Sequence, residues 1–289
     1  MKIIQPLFLI VALLCFSTGL VAQDHTQKIV KELRFNRQSP GNVLKIENIN
    51  GFVHVEPHQG DKVLIEVERI IEPRAADGLE KSKELSLEFE VSGDSIISFL
   101  KAPYIQSHRT GSSNRGVNIT GELGYSFTHN FTIKVPQNTN ISLTTINNGD
   151  VQVKDLTAGY IQAANVNGPI LLDNISGEVD AKTVNGSVVA KYRENPKKQA
   201  RLETLNGNVE LLYRQPLSAT ISFSAFNGDF FTDLRDLQPQ AAKVQKVSNV
   251  KGATTTYKLG KESVYKTGKG EAQLQLKTFN GKVIVKAQS

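Results

Sequence analysis

The chain has 289 residues, with 34 Lys and Arg against 28 Asp and Glu, a formal net charge of +6, one Cys and no Trp. The basic residues are scattered apart from Lys197-Lys198 and residues 243–269. That distribution describes a solvated surface and argues against a nucleic-acid partner. The single Cys15 lies in the N-terminal apolar run, so the rest of the chain can use neither disulfides nor thiolate chemistry.

Residues 1–22 have the pattern of a secretory signal peptide: Lys2, an apolar run over residues 3–16, and Ala22 ahead of a cleavage point at Gln23. The run is too short for a membrane span, and Leu14 before Cys15 is a poor match to a lipoprotein signal. No later segment is long and apolar enough to cross a bilayer. The expectation is an exported chain with no membrane span in its mature part.

Residues 23–140 read as an N-terminal β portion. It holds one Asn-Gly motif, Ile49-Asn50-Gly51, and an alternating strand over residues 63–67. Just after the motif, His54, Glu56 and His58 stand at alternate positions. On a strand they would share one face, as a metal site needs, although Pro57 ends the strand early. Residues 73–82 are the one candidate helix, interrupted by Gly78, and Leu85, Leu87, Phe89 and Val91 alternate again. Residues 103–122 are polar with few apolar anchors and read as a mobile loop. A strand over residues 125–135 follows, ended by Pro136-Gln137-Asn138.

Residues 141–289 carry the strongest signal. The pattern apolar-Asn-Gly recurs as Val166-Asn167-Gly168, Val184-Asn185-Gly186, Leu205-Asn206-Gly207, Phe226-Asn227-Gly228 and Phe279-Asn280-Gly281, with Asn147-Asn148-Gly149 as a near copy. Steps of 19, 18, 21 and 21 residues separate the glycines from Gly149 to Gly228. Taking each Gly as zero, positions −7, −5, +2 and +4 are apolar and the alternate positions mostly polar, which marks strands with one buried face on both sides of a turn. A second turn falls midway, at Ala158-Gly159, Ser176-Gly177, Asn195-Pro196 and Gln215-Pro216. Two turns in fixed phase per period favour a β-solenoid of about 18–21 residues per rung over a string of hairpins. In that solenoid the Asn residues form a ladder with structural corner chemistry, Gly supplies positive φ, and Thr183 and Thr204 stack just inside. The final strand, residues 282–286, would end the stack. Position +3 should face outward, yet it includes Leu171, Val189, Phe231 and Ile284. These residues either pack under the N-terminal portion or form a partner face.

Residues 131–136 (Phe-Thr-Ile-Lys-Val-Pro), the following Ile141-Ser142-Leu143-Thr144-Thr145 and the repeated Asn-Gly-x-Val resemble the bacterial putative-adhesin domain family of β-strand repeat proteins, over roughly residues 40–289. The resemblance implies an all-β, parallel β-helix-like fold, right-handed, in an exported bacterial protein. It brings no catalytic residues. Asp94-Ser95-Ile96 also resembles the short O-glycosylation acceptor pattern of exported proteins in Bacteroides-type bacteria.

Motifs for nucleophilic, zinc-protease or nucleotide chemistry are missing from the sequence. The leading expectation is a non-enzymatic protein of the Gram-negative envelope, periplasmic or on the surface. It would act as an interaction or scaffold module without a cofactor, with a protein or glycan partner or with itself. The alternatives are a β-helix lyase or hydrolase using the outward carboxylates Asp150, Asp180, Glu203, Glu210 and Asp229, of which Asp150 and Asp229 share a phase but stand about four rungs apart, too far to pair, and a periplasmic stress or sensor accessory.

Overall fold

The computed structural model describes residues 24–110, 114–119, 122–240, 244–248, 255–259 and 263–288. The segment 1–22 read as a signal peptide lies outside them. Strands dominate, and the helical content among the described residues is one turn of α-helix, Gly78–Lys81, running into a 3₁₀ turn, Ser82–Glu84. Gly78 therefore opens the helix rather than interrupting it.

The period-20 pattern folds into a two-sheet β-solenoid. Each rung sends a leading strand into the Asn-Gly corner and a trailing strand out of it, and a return turn carries the chain to the next rung. Residues at equal phase pair in parallel: Ile141 with Ile161, Val179 with Ala200, and Val188 with Val209. The inward rows predicted from alternation form the core. Ile161, Ala181, Leu202, Ile221 and Leu274 are buried from the leading sheet, and Val151, Ile170, Val188, Val209 and Val283 from the trailing sheet. Each large aliphatic side chain buried in this way contributes about 1.5–3 kcal/mol.

Spatial order departs from chain order at both ends. The leading strand Ala272–Asn280 pairs on one side with Gln199–Asn206 and on the other with Ala219–Asn227. Its trailing strand Val283–Ala287 likewise lies between Val209–Tyr213 and Phe230–Thr232. The last rung in sequence is thus the seventh of eight in space, and the expectation that it ends the stack is corrected. The N-terminal end mirrors this. Val43–Glu47 sits between Ser95–Lys101 and Asn140–Thr144, and Val53–His58 sits between Tyr125–Pro136 and Val151–Lys154. Antiparallel strands then continue the sheets: Lys62–Pro73 and His25–Arg34 on the trailing sheet, Ser86–Ser92 on the leading sheet, and Ser263–Thr267 at the far end. Within residues 103–122, read as a mobile loop, the backbone forms an antiparallel hairpin of Ile105–Thr110 and Asn114–Ile119.

At the corner, the role of glycine differs from the expected one. Positive φ is not shared by all of these glycines, since Gly149, Gly168 and Gly228 lack it. What they share is close approach: a Cβ at Gly168 would collide with the Gly149 carbonyl, one at Gly186 with Gly168, and one at Gly207 with Gly186. Position −3 ties the same rungs together. The hydroxyls of Thr183, Thr204 and Thr278 donate to the carbonyls of Gly168, Gly186 and Gly207 at 2.7–2.8 Å. Asn165 does the same through its amide to Gly149 at 3.0 Å.

Two substitutions test this corner by urea unfolding. Gly207→Ala overpacks the backbone contact and should cost about 1–3 kcal/mol. Thr204→Val keeps the shape but strands a buried carbonyl, and should also cost about 1–3 kcal/mol. The midpoint should fall in both variants; an unchanged midpoint in either refutes the role assigned to that residue.

Candidate functional site

The Asn residues form one continuous ladder. Each Nδ2 donates to the Oδ1 of the next: Asn147 to Asn50, Asn167 to Asn147, Asn185 to Asn167, Asn206 to Asn185, Asn280 to Asn206 and Asn227 to Asn280, at 2.7–3.2 Å. The ladder follows spatial order, with Asn280 inside Asn227. These amides satisfy one another along the stack, which is corner chemistry.

Before the last five of these Asn residues in spatial order stands an exposed apolar residue, whereas Ile49 and Ile146, before Asn50 and Asn147, pack in a second apolar cluster. Val166, Val184, Leu205, Phe279 and Phe226 follow one another along the corner with 36, 38, 46, 43 and 60% of their surface exposed. The rings of Phe279 and Phe226 stack at 4.6 Å and 8°. At a rung spacing of about 4.8 Å, these five side chains make a ridge about 19 Å long. The apolar character of position −2 is visible in the five apolar-Asn-Gly motifs from Val166 onward. The row at +3 is real as well. Leu171, Val189, Glu210, Ile284 and Phe231 lie in register across the outer face of the trailing sheet. Leu171, Val189 and Ile284 are half-buried and Phe231 is exposed, with the Lys282 ammonium 5.4 Å from its ring centroid. The N-terminal strands Lys62–Pro73 and His25–Arg34 extend this sheet edge to edge.

The candidate metal trio is dispersed. His54 pairs with Asp150 at 2.9 Å and stacks on Phe52, Glu56 pairs with Lys134 at 3.3 Å, and His58 meets the Lys62 carbonyl at 2.7 Å. Among the described residues no three His, Cys, Asp or Glu side chains group to hold a metal ion. Asp150 and Asp229, the carboxylates considered for hydrolysis, sit on the third and eighth rungs. At the strand spacing that separates them by about 24 Å, beyond the reach of a carboxylate pair. Asp94 of the Asp94-Ser95-Ile96 pattern grips Arg37 through both oxygens at 2.8 and 2.9 Å, and Ile96 is buried.

One buried ionisable group stands out in a second apolar cluster of Ile49, Ile71, Leu85, Leu100, Tyr125 and Phe127. His129 is fully buried there, faces Arg69 across the antiparallel pair, and has no hydrogen-bond partner at either ring nitrogen. Burial, helped by the Arg69 charge, pushes its pKa from 6.5 down to about 3. Between those values the unfolded chain holds the extra proton. The stability from a neutral His129 is therefore full above pH 6.5 and is lost as the pH falls toward 3. The loss should approach about 1.4 kcal/mol per pH unit. His129→Phe should show a smaller drop in urea midpoint between pH 7 and 4.5 than the parent; equal drops would refute the assignment.

Against known proteins, the Toastrack DUF4097 family model matches residues 126–285. No curated protein matches the chain in sequence. Solved structures of several bacterial proteins align along most of the chain. A putative cell adhesion protein from Clostridium sporogenes shares 10% identity at a TM-score of 0.46, covering 91% of this chain and 100% of its own. A putative adhesin from Bacteroides fragilis shares 9% at 0.31, with 90% and 97% covered. A putative lipid binding protein from Parabacteroides distasonis shares 11% at 0.26, with 92% and 97% covered.

Proposed function

The chain belongs to the Toastrack DUF4097 family, and from that premise we propose that it is an exported, non-catalytic interaction module of the Gram-negative cell envelope. It pairs with a second copy of itself through the corner ridge. The N-terminal pattern of Lys2, apolar residues 3–16 and Ala22 supports export. No helix among the described residues is long and apolar enough to cross a membrane.

The ridge is the observation that carries the reading. Its side chains point away from the core, so folding gives no reason for five successive apolar residues there. Their sizes are graded, from Val166 and Val184 through Leu205 to Phe279 and Phe226. Two copies related by a two-fold axis at Leu205 set Phe226 against Val166 and Phe279 against Val184. The summed bulk stays nearly constant along the seam, as an isologous contact requires. Phe231 and Ile284, around the corner from the large end, can widen the contact.

Sedimentation velocity across a concentration series tests this. The parent should shift from monomer to dimer. Leu205→Glu sets two carboxylates across the axis and should weaken the dimer at least about tenfold, as should the double variant Phe226→Ser, Phe279→Ser, with far-UV circular dichroism unchanged. A parent that stays monomeric at high concentration, or dimers indifferent to Leu205→Glu, would overturn the ridge as the contact.

A further inference from the structure

Seven Asn-Gly pairs stand in this chain, beginning at Asn50, Asn148, Asn167, Asn185, Asn206, Asn227 and Asn280. Each carries the atoms for a self-modification. The glycine backbone nitrogen attacks Cγ of the Asn carboxamide, its proton passes through solvent to the amide nitrogen, and that nitrogen leaves as ammonia. The product is a cyclic succinimide. Water then adds at either ring carbonyl and opens it to aspartate or isoaspartate. Asn is accordingly among the thermolabile residues, and glycine, without a side chain, leaves the attack unobstructed. Two conditions govern the step. The carboxamide must be free to turn toward its own backbone, and the glycine N–H must be free to give up its proton.

The corner treats the seven pairs unequally. Exposure does not separate them, since Asn148, Asn167, Asn185, Asn206, Asn227 and Asn280 all reach solvent. Hydrogen bonding does. Asn50, Asn167, Asn185, Asn206 and Asn280 each donate through Nδ2 and accept at Oδ1, so these carboxamides are held from both sides. In four of these pairs the glycine N–H is engaged too. Gly51, Gly186, Gly207 and Gly281 donate to the carbonyls of Asn147, Asn206, Asn280 and Asn227 at 2.9–3.1 Å. Among the described residues no backbone carbonyl accepts from the Gly168 N–H, so Asn167 is held by the ladder alone.

Asn227 and Asn148 escape these restraints. Asn227 is the outer end of the ladder. Its Nδ2 reaches Asn280 at 2.7 Å, but among the described residues nothing donates to its Oδ1 and no backbone carbonyl accepts from the Gly228 N–H. An end rung also opens at lower cost than an inner one. Asn148 stands outside the ladder, because Asn147 takes the seat on its rung. Among the described residues its backbone neighbour Gly149 likewise has no acceptor for its N–H.

We propose that Asn227 and Asn148 are deamidation sites of the folded protein, and that the corner ladder shields the other five Asn-Gly pairs. At Asn227 the departing nitrogen is the donor of the last ladder bond. The product sets a carboxylate oxygen against the Asn280 Oδ1, two acceptors face to face, and adds a negative charge one residue from Phe226 at the large end of the ridge. At Asn148 no ladder bond is lost. The chemistry does not depend on pairing between copies through the ridge.

Peptide mapping by mass spectrometry, after the folded full chain has stood in mildly alkaline buffer, tests the proposal. Asn227 and Asn148 should react at least about tenfold faster than each of the other five, the factor that about 1.4 kcal/mol of opening cost produces. In urea all seven should react at similar rates, because each is followed by glycine. Leu205→Glu should keep the folded pattern, since the shielding comes from within one chain. Asn185→Ala removes the donor to the Asn167 Oδ1 and leaves Asn167 bonded as Asn227 is, through Nδ2 alone. Its rate should rise to that of Asn227 while Asn50 and Asn280 stay shielded, which an unfolded variant would not show. Equal rates at all seven in the folded chain, Asn227 and Asn148 as slow as the rest, loss of the pattern in Leu205→Glu, or an Asn167 rate unmoved by Asn185→Ala would each overturn the proposal.

Discussion

The rest of the structure depends on how closely the backbones of successive rungs meet at the Asn-Gly corner. From Gly149 onward each corner glycine lies against the backbone of the glycine on the preceding rung, and Gly51 lies against the His129 carbonyl, so none of them has room for a side chain. Once the rungs are that close, two hydrogen-bond systems come within reach. Outside runs the Asn ladder, and inside run the −3 hydroxyls and amide that satisfy the glycine carbonyls. Both systems fix register, because sliding one strand by a residue would break the corner bonds and turn its apolar row outward. The near copy Asn147-Asn148-Gly149 obeys the same constraint with one more residue. Asn148 takes up the extra length at φ 56°, so Asn147 keeps its seat in the ladder and Thr145 supplies the inner bond to Gly51.

A parallel stack has two open ends, and exposed sheet edges invite aggregation. This chain closes them by keeping its first and last rungs off the ends. Residues 43–58 and 272–287 are each held between two parallel neighbours, and internal segments form the outermost rungs before antiparallel strands take over. The inner series of donors ends at Thr278, because position −3 of the eighth rung is Ala225, which has no donor to offer the Gly281 carbonyl on the seventh. At the other end His25–Arg34 carries Lys28, Lys31, Glu32 and Arg34 along the sheet edge, a row of charges that discourages strand addition.

The sequence made the solenoid legible because the period, the alternation and the two turn types agree with one another. It also identified the core rows and the Asn ladder, residue by residue. The order of rungs was not legible. A motif shows that Phe279-Asn280-Gly281 belongs to the stack, but its phase is the same in every slot, and only three-dimensional pairing distinguishes the end from the seventh position. The hairpin within residues 103–122 was hidden for a different reason: its strands lack the apolar alternation that betrays a strand packed on a core. His54, Glu56 and His58 share a strand, yet each found a nearer partner on a neighbouring strand, Asp150, Lys134 and Lys62. Asp150 and Lys134 are remote in sequence and could not be read from spacing, while Lys62 lies only four residues beyond His58.

The two edges of the solenoid are chemically opposite, and only one is explained by folding. At the return turns, polar residues are expected, since the backbone there must turn and each freed amide needs a partner. At the Asn-Gly corner, the inner bonds and the outer ladder already satisfy the chain, and position −2 could be any solvated residue without loss to either. A hydrophilic side chain there would leave the core rows equally buried. The Val-Val-Leu-Phe-Phe row along that corner is therefore the feature on which the proposed self-association rests, rather than the Asn residues beside it.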